Sequence, residues 1–330
     1  MTKVKWGILS TADIGMKKVI PGMMRSPDIE VVAIASRNLK RAQAAAAQLD
    51  IPRAYGSYEE LLADPEIEAV YNPLPNHLHV PLTMMAAKAG KHVLCEKPIA
   101  ITAKEAALLK TAPKNILIAE AFMVRHNPQW IDAKARVKAG KIGEVKAIQC
   151  LFSYFNRDPK NVRNKAAIGG GGLYDIGCYP ITVSRFIFGA EPLRVTGTFD
   201  RDPKFKTDRV MGGLADFGKG RHLSFTISTQ LAPYQRVNIM GTKGRIEIEI
   251  PFNAPPDEEN RIFVQYGEMN IGTWHRFPVS DQYRLQAESF GRHVRAKKKL
   301  VWGVDDAIKN MKIIDAFFKS EKSNKWEKVA

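Results

Sequence analysis

A lysine, an aspartate and a tyrosine have the types and spacing that proton transfer requires. Lys97 lies two residues after the strand-like run 91–95, and Pro98 fixes the turn after it. Asp175 and Tyr179 are four residues apart, which places both side chains on one face of a helix. Each residue also has an ordinary structural interpretation, as a solvated loop lysine, a polar residue at a helix start and a core tyrosine. Together they could form a proton-transfer set, although the ordinary interpretation is favoured for each residue alone.

The first 120 residues alternate short apolar runs with longer amphipathic ones. The apolar runs predict buried strands at 4–10, 30–36, 69–72, 92–95 and 116–119. The runs between them predict helices at about 13–25, 39–49, 76–89 and 102–112. Strand–helix repetition requires right-handed crossovers and gives a doubly wound parallel sheet. The sequence therefore predicts an α/β Rossmann domain over residues 1–121.

After residue 121 the pattern becomes that of an α+β domain. The predicted elements are a helix at about 128–139, a strand at 145–152, a helix ending near 188, strands between 193 and 265, and helices at about 281–297 and 304–319. Residues 245–250 alternate strictly between apolar and charged types, as in a strand with one solvated face. We expect residues 122–330 to form a second domain on a large, open, mostly antiparallel sheet, whose terminal helices could pack back on the first domain.

The turn after the first predicted strand is a reduced form of the dinucleotide-binding fingerprint. Ser10 and Ala12 stand where the full motif has glycines, and only Gly15 is retained. Small residues still let the backbone approach a pyrophosphate at a helix start, although an ordinary strand–helix turn explains them about equally well when they are considered alone. The strand–helix context favours a cofactor site. Its predicted contacts here are Ser10, Thr11, Ala12, Asp13 and Ile14.

The end of the second predicted strand indicates which dinucleotide is preferred. NAD sites usually carry an acidic residue here for the ribose hydroxyls, whereas this chain has Ser36 and Arg37, followed by Arg41. An arginine fork suits a phosphate dianion, which a carboxylate would repel. A solvated helix start is the alternative interpretation of the two arginines. The sequence predicts NADP(H) in preference to NAD(H).

The third predicted strand ends in a loop that lies in position to line the same cofactor. The predicted contacts in it are Asn72, Pro73, Leu74, Asn76 and His77. His77 and His79 could suggest a metal site, but they diverge by about 200° at a helix start and no Cys or carboxylate pattern accompanies them. We therefore expect no metal.

These motifs together resemble the glucose-fructose oxidoreductase and inositol dehydrogenase family, also called Gfo/Idh/MocA. The resemblance covers nearly the whole chain, and Glu96-Lys97-Pro98 after His-Val-Leu-Cys is its most specific element. The Ser36-Arg37 strand end and the Asp175-x-x-x-Tyr179 segment are most similar to the branch of NADP-dependent aldose (xylose) dehydrogenases, dihydrodiol dehydrogenases and glucose-fructose oxidoreductase. In the Ser10-Thr11-Ala12 turn, other small residues replace the glycines that are commoner in the family. A similar turn of small residues occurs in that branch.

The resemblance implies roles for particular residues. Lys97 would be the catalytic lysine and a cofactor contact, Asp175 would orient the substrate or tune Lys97, and Tyr179 would contact the substrate hydroxyl and share the acid–base role. Arg163 and Tyr283 occupy positions where relatives place cofactor or substrate contacts, and Glu96 of the Glu-Lys-Pro motif is also expected to contact the cofactor. Which group carries the proton stays open, because desolvation would lower the pKa of a lysine and Asp175 would oppose that shift. The resemblance also implies a homodimer or homotetramer formed through the C-terminal sheet.

Composition excludes several other classes of protein. The chain has 330 residues, 45% hydrophobic and 25% charged, as expected for a globular protein of about two domains. The net charge of +16 is dispersed, so we expect no nucleic-acid partner. No apolar run reaches the roughly 18 residues of a membrane span, and the start lacks a leader pattern, so we expect a cytoplasmic protein without a membrane partner. Three widely spaced cysteines predict neither disulfides nor a thiolate metal site.

The sequence predicts an enzyme, an NADP(H)-dependent oxidoreductase of CH–OH groups. Its expected substrate is a sugar, cyclic polyol or dihydrodiol, reacting at a secondary or anomeric position. The alternative is a non-catalytic NADP-binding sensor of the same fold, because fold alone does not establish chemistry. Lys97, Asp175 and Tyr179 favour the enzyme, since a sensor needs no proton relay.

Overall fold

The computed structural model describes residues 2–269 and 271–329, which divide into two compact units. The first unit comprises the chain up to Met123 together with Gln282–Ile308. The second comprises Val124–Asp281 and the chain from Lys309 onward. The penultimate helix thus lies in the first unit. The sequence analysis places it in the domain that starts at residue 122 and allows the terminal helices of that domain to pack back on the first.

The first unit is built on a six-stranded parallel sheet. Its strands are β1 (Val4–Leu9), β2 (Ile29–Ala35), β3 (Arg53–Tyr55), β4 (Ala69–Asn72), β5 (His92–Cys95) and β6 (Ile118–Glu120). Their order is β3-β2-β1-β4-β5-β6, and all neighbours pair in parallel. This confirms the predicted doubly wound Rossmann sheet. The sequence analysis missed the short, half-exposed edge strand β3, since it has no continuous apolar run.

The helices of the first unit are shorter than predicted. They are α1 (Ile20–Met24), α2 (Leu39–Gln48), α3 (Tyr58–Ala63), α4 (His79–Lys88), α5 (Ala103–Ala107) and α8 (Gln282–Ala296). A π-helical turn at Gly15–Val19 precedes α1, and 3₁₀ turns at Asn76–Leu78 and Leu108–Thr111 adjoin α4 and α5. The predicted helices at 13–25, 76–89 and 102–112 are therefore composite, and α3 was not predicted.

The amphipathic helix α8 packs on the sheet of the first unit. Phe290 lies with its ring 5.5 Å from that of Trp6 on β1, and both side chains are buried. The Gln286 amide oxygen accepts hydrogen bonds from the backbone N–H groups of Phe122 (3.0 Å) and Met123 (3.2 Å). Arg295 forms an ion pair with Glu68. The helix therefore contributes both apolar and polar contacts to this unit.

The second unit is built on a nine-stranded, mostly antiparallel sheet, as predicted. Its strands are β7 (Val145–Phe155), β8 (Arg194–Arg201), β9 (Asp208–Asp216), β10 (His222–Ser228), β11 (Gln230–Gly241), β12 (Gly244–Ile248), β13 (Asn260–Tyr266), β14 (Gly272–Phe277) and β15 (Glu327–Lys328). The order is β14-β13-β12-β11-β7-β10-β9-β8-β15, in which only β7 and β10 are parallel neighbours. Three helices complete the unit: α6 (Pro128–Lys138), α7 (Cys178–Phe188) and α9 (Val304–Ser323), whose first residues lie in the first unit.

Aromatic side chains fill the space between one face of this sheet and its helices. Phe152 on β7 lies near Tyr179 (5.8 Å between ring centroids) and Phe252 (4.8 Å), and Phe225 on β10 contacts Phe317 on α9 (5.4 Å). All five rings are buried. Burial of such large rings fixes the start of α7 against the sheet. The segment that carries Asp175 adjoins that start.

Candidate active site

The carboxyl ends of the parallel strands bring most of the predicted cofactor contacts to one edge of the first unit. At the end of β1, Ser10 has φ = +111°, a region that favours glycine. Its backbone N–H bonds to the Ala35 carbonyl at the end of β2 (2.9 Å). Thr11, Ala12, Asp13 and Ile14 then lead into the π-helical turn that starts at Gly15. Ser10 thus has a backbone conformation that favours glycine, at a position where the full motif has one.

The end of β2 carries two exposed arginines and no acid. Asn38 caps α2 by accepting a hydrogen bond from the Arg41 N–H (3.1 Å), and Ser36 accepts one from the Asn38 N–H (3.3 Å). Arg37 and Arg41 are exposed, and the first turn of α2 has no acidic residue. Two exposed cations beside a helix start fit a phosphate group.

The loop after β4 is held by buried polar side chains. Asn72 is fully buried, donating to His79 O and Thr83 Oγ1 (both 3.2 Å) and accepting from the Leu74 N–H (3.3 Å). Its side chain therefore shapes this loop rather than facing solvent. Pro73 and Leu74 are also buried, while Asn76 and His77 are half-buried.

His79, which the sequence analysis left without a role, links this loop to the turn after β5. Its Nδ1 lies 2.7 Å from the Pro98 carbonyl oxygen, and its Nε2 lies 2.5 Å from the Leu74 carbonyl oxygen. Burial lowers the pKa of His79 to about 4, whereas the hydrogen bonds to the two backbone oxygens favour the protonated ring. Both ring nitrogens are occupied by backbone oxygens. Among the described residues, no group of three or more His, Cys, Asp or Glu side chains is arranged to hold a metal.

The turn after β5 carries Glu96 and Lys97, both half-buried. The Tyr71 hydroxyl on β4 donates to Glu96 Oε1 (2.7 Å), and the Glu96 N–H bonds to the Asn72 carbonyl (2.9 Å). Burial and the nearby Glu96 carboxylate raise the pKa of Tyr71 well above its usual value, so it stays protonated as a donor. Glu96 is thereby fixed at the strand end that presents Lys97. Tyr283, at the start of α8, packs against the core of this unit.

The residues of this strand edge fit a nicotinamide dinucleotide. The turn at Ser10 brings backbone close to where a pyrophosphate would lie, and Arg37 and Arg41 suit a 2′-phosphate. His77 Nδ1 is buried and has no hydrogen-bond partner within residues 2–269 and 271–329. A cofactor hydroxyl or amide would satisfy such an atom.

In the second unit, close packing explains the glycine-rich turn before Asp175. A Cβ on Gly170 would lie 2.6 Å from the Arg163 carbonyl oxygen, and one on Gly171 would lie 2.0 Å from Asp208 Oδ1. The turn enters a π-helical segment, Leu173–Gly177, which α7 continues. The predicted helical placement of Asp175 and Tyr179 therefore includes one wider turn.

Asp175 is held by two side chains that converge on a single carboxylate oxygen. The Tyr154 hydroxyl donates to Oδ2 at 2.6 Å, and Arg163 Nε lies 2.9 Å from the same atom. The Asp175 side chain is 13% exposed and that of Arg163 41%. The Asp175 charge raises the pKa of Arg163, while burial and the same charge raise the pKa of Tyr154. Both partners are therefore protonated and stabilise the Asp175 carboxylate.

Tyr179 is largely buried, with its ring packed against Phe152 and Phe252. The structure thus groups Arg163, Asp175 and Tyr179 in the second unit, and Glu96 and Lys97 in the first. Sequence reasoning missed Tyr154, which is one of several aromatic residues in an eleven-residue strand and belongs to no motif.

Comparison with known proteins identifies the family. Residues 4–118 match the model of the oxidoreductase family with an NAD-binding Rossmann fold, and residues 130–247 match the GFO/IDH/MocA C-terminal domain. The chain is similar to an uncharacterised oxidoreductase of Rhizobium meliloti, with 46% identity over the full length of both chains. It is also similar to D-xylose 1-dehydrogenase (NADP(+)) 2 of Haloferax volcanii, with 35% identity over 96% of each chain.

A solved structure extends the similarity to the whole fold. KijD10, a 3-ketoreductase from Actinomadura kijaniata in complex with NADP and TDP-benzene, superposes with a TM-score of 0.90. The identity is 26%, over 96% of this chain and 98% of that one. Separately, none of the described helices combines the length and the apolar character that a membrane span requires. The matches to both family models, and the relatives that match over nearly the whole chain, show that this chain belongs to the Gfo/Idh/MocA family of oxidoreductases.

Proposed function

We propose that the protein transfers hydride between NADP(H) and a secondary or anomeric hydroxyl, or the matching carbonyl, of a sugar, cyclic polyol or dihydrodiol. The observation that carries the proposal is Lys97 at the carboxyl end of β5, on the strand edge that also carries Ser10 and Arg37. Relatives named as a D-xylose dehydrogenase and a 3-ketoreductase support a sugar-like substrate.

In this proposal the cofactor supplies or accepts the hydride, and the protein handles the proton. Lys97 takes the hydroxyl proton during oxidation and returns it during reduction, with Tyr179 sharing contact with the reacting oxygen. Asp175 orients the substrate or tunes Lys97, and its own Oδ2 is fixed by Tyr154 and Arg163. Glu96 holds the turn that presents Lys97, since the Tyr71 hydroxyl fixes its carboxylate.

Arg37 and Arg41 favour NADP(H) over NAD(H). Both side chains are exposed at the start of α2, and no carboxylate in the first turn of α2 would repel a phosphate. The NADP named with the xylose dehydrogenase and with KijD10 supports this preference. Glu96, Arg163 and Tyr283 complete the proposed cofactor and substrate contacts.

We also propose that the protein is a homodimer or homotetramer through the outer face of its nine-stranded sheet. Leu214 on β9 and Tyr234 and Met240 on β11 are exposed on this face. Val237 and Ile239, which point to the opposite face of β11, are buried. Exposed apolar side chains on a regular sheet face favour association. Light scattering on the purified protein would measure the mass directly, and a monomer at micromolar concentration would refute the proposal.

Fluorescence titration with NADPH and NADH, followed by a panel of aldoses, ketoses, inositols and diols with the oxidised cofactor, tests the proposed activity. We expect tighter binding of NADPH and turnover of at least one substrate. Binding without turnover across the panel would favour the sensor. Failure of both nucleotides to bind would show that the Ser10-Thr11-Ala12 turn is not a dinucleotide site.

A further inference from the structure

A fully buried carboxyl lies behind the turn that presents Asp175. Asp208 begins β9 and is 1% exposed. Its Oδ2 accepts a hydrogen bond from the Leu173 backbone N–H (2.5 Å), at the start of the π-helical segment. An N–H buried here without an acceptor would destabilise the turn, so this bond fixes the backbone two residues before Asp175.

The same carboxyl determines the shape of the glycine-rich turn. Gly171 has φ = +129°, and a Cβ there would meet Asp208 Oδ1 at 2.0 Å. A Cβ on Gly172 would lie 3.1 Å from the Asp208 carbonyl oxygen. The backbone therefore passes directly over Asp208, and the glycines permit that approach.

Backbone hydrogen bonds connect this turn to the groups that hold Asp175. The Gly171 N–H bonds to the Arg163 carbonyl (2.9 Å), and the Gly171 carbonyl accepts from the Asp175 N–H (3.1 Å). Arg163 in turn pairs with Asp175 through its side chain. A shift of Gly171 would therefore move both members of this ion pair.

Titratable groups face Asp208 from three elements. Arg201 on β8 favours its ionisation, but this arginine is already paired with Glu321 on α9, which opposes it. The charge of Asp208 also contributes to the raised pKa of Tyr154 on β7. Burial is the largest influence and raises the pKa of Asp208 to about 7. Among the described residues, Asp208 therefore has no cation that pairs with it alone. Its main hydrogen-bond partners are backbone N–H groups.

We propose that Asp208 is a positioning residue for the reaction, which holds the Gly171–Leu173 turn by accepting the Leu173 hydrogen bond and so sets the Asp175–Arg163 pair. The inference rests on the proposed oxidoreductase function. It assigns a role to a residue 33 positions from Asp175 that belongs to no recognised motif. Asp208 is not itself proposed to touch substrate or cofactor.

Asp208→Asn and Asp208→Ala test this role. The asparagine keeps an acceptor oxygen of the same size, whereas the alanine removes it. We expect D208A to lose at least about tenfold in kcat with its NADPH Kd within about threefold of wild type, and D208N to stay within about threefold in kcat. Amide hydrogen exchange should show lost protection at Leu173 in D208A and retained protection in D208N.

Asp202 provides the matched control, because it is equally buried and lies at the other end of the β8–β9 connection. It accepts hydrogen bonds from the N–H groups of Lys204 (2.8 Å) and Phe205 (2.9 Å), so it holds a different turn. D202N and D202A should leave the exchange at Leu173 unchanged. Wild-type kcat in D208A would overturn the inference, as would equal loss of kcat in D208A and D202A.

Two further outcomes are decided by the same experiment. If D208A does not fold, D208N decides: more than about tenfold loss of kcat with Leu173 still protected would overturn the inference. If the wild-type protein turns over no substrate, the proposed function fails, whereas the exchange data still report whether Asp208 holds Leu173. Unchanged Leu173 protection in folded D208A would overturn the inference in that case.

Discussion

The Tyr154 hydroxyl, near the end of strand β7, donates at 2.6 Å to Oδ2 of Asp175 in the π-helical segment. Arg163 occupies the same oxygen at 2.9 Å. Asp175 is therefore fixed by a neutral donor and a cation together. This arrangement holds a largely buried carboxylate in one orientation.

Tyr154→Phe should lower kcat about tenfold, because the loss of a hydrogen bond to a charged group costs roughly 1.5–3 kcal/mol and frees the Asp175 side chain to rotate. The NADPH Kd should change little, since Tyr154 lies outside the Rossmann unit. Steady-state kinetics on the best panel substrate measure this effect. Tyr266→Phe, the same change at an exposed tyrosine, is the control. Equal kcat in wild type and Y154F would contradict a role for this hydrogen bond.

Arg37→Ala and Arg41→Ala should each weaken NADPH binding about tenfold and leave NADH binding nearly unchanged, since a charge-assisted bond to the 2′-phosphate is lost only with NADPH. The titration is done by cofactor fluorescence at fixed ionic strength. Lys40→Ala removes an exposed cation that lies between the two arginines in sequence and should change neither affinity. Parallel weakening of NADPH and NADH in R37A would argue against recognition of the phosphate.

The buried Asp208 carboxyl should make stability depend on pH. Its pKa is about 7 in the folded protein and near 3.8 ordinarily. Between these values the unfolded chain has lost the proton that the folded chain keeps, so the free energy of unfolding falls as pH rises from about 4 to about 7. Each pKa unit of difference corresponds to about 1.4 kcal/mol.

Chemical denaturation of wild type and D208N across this pH range isolates the contribution of Asp208 to the free energy of unfolding. His79 acts in the opposite direction, because its lowered pKa costs stability as pH falls from about 6.5 to about 4, but it is present in both proteins. The free energy of unfolding of the wild type should therefore fall relative to that of D208N as the pH rises towards 7. Curves that stay parallel would contradict a raised pKa for Asp208.

The alternation of apolar and amphipathic runs predicted the Rossmann sheet, and Glu96-Lys97-Pro98 predicted the family, since both signals are local in sequence. Tyr154 and Asp208 could not be predicted in the same way. They reach the Asp175 turn from strands 21 and 33 residues away in sequence, so only tertiary packing brings them there. Helix α8 shows the same limit: its amphipathic pattern predicts a buried face but not the sheet on which that face packs.

The role of Lys97 is tested most directly by initial rates of wild type and Lys97→Met with NADP⁺ across the substrate panel. The account predicts that wild type turns over at least one member, and that K97M loses at least about a hundredfold in kcat with its NADPH Kd within about threefold. Lys88→Met, at an exposed position on α4, should behave as wild type. Full activity in K97M, or no turnover by wild type on any panel member, would contradict the account.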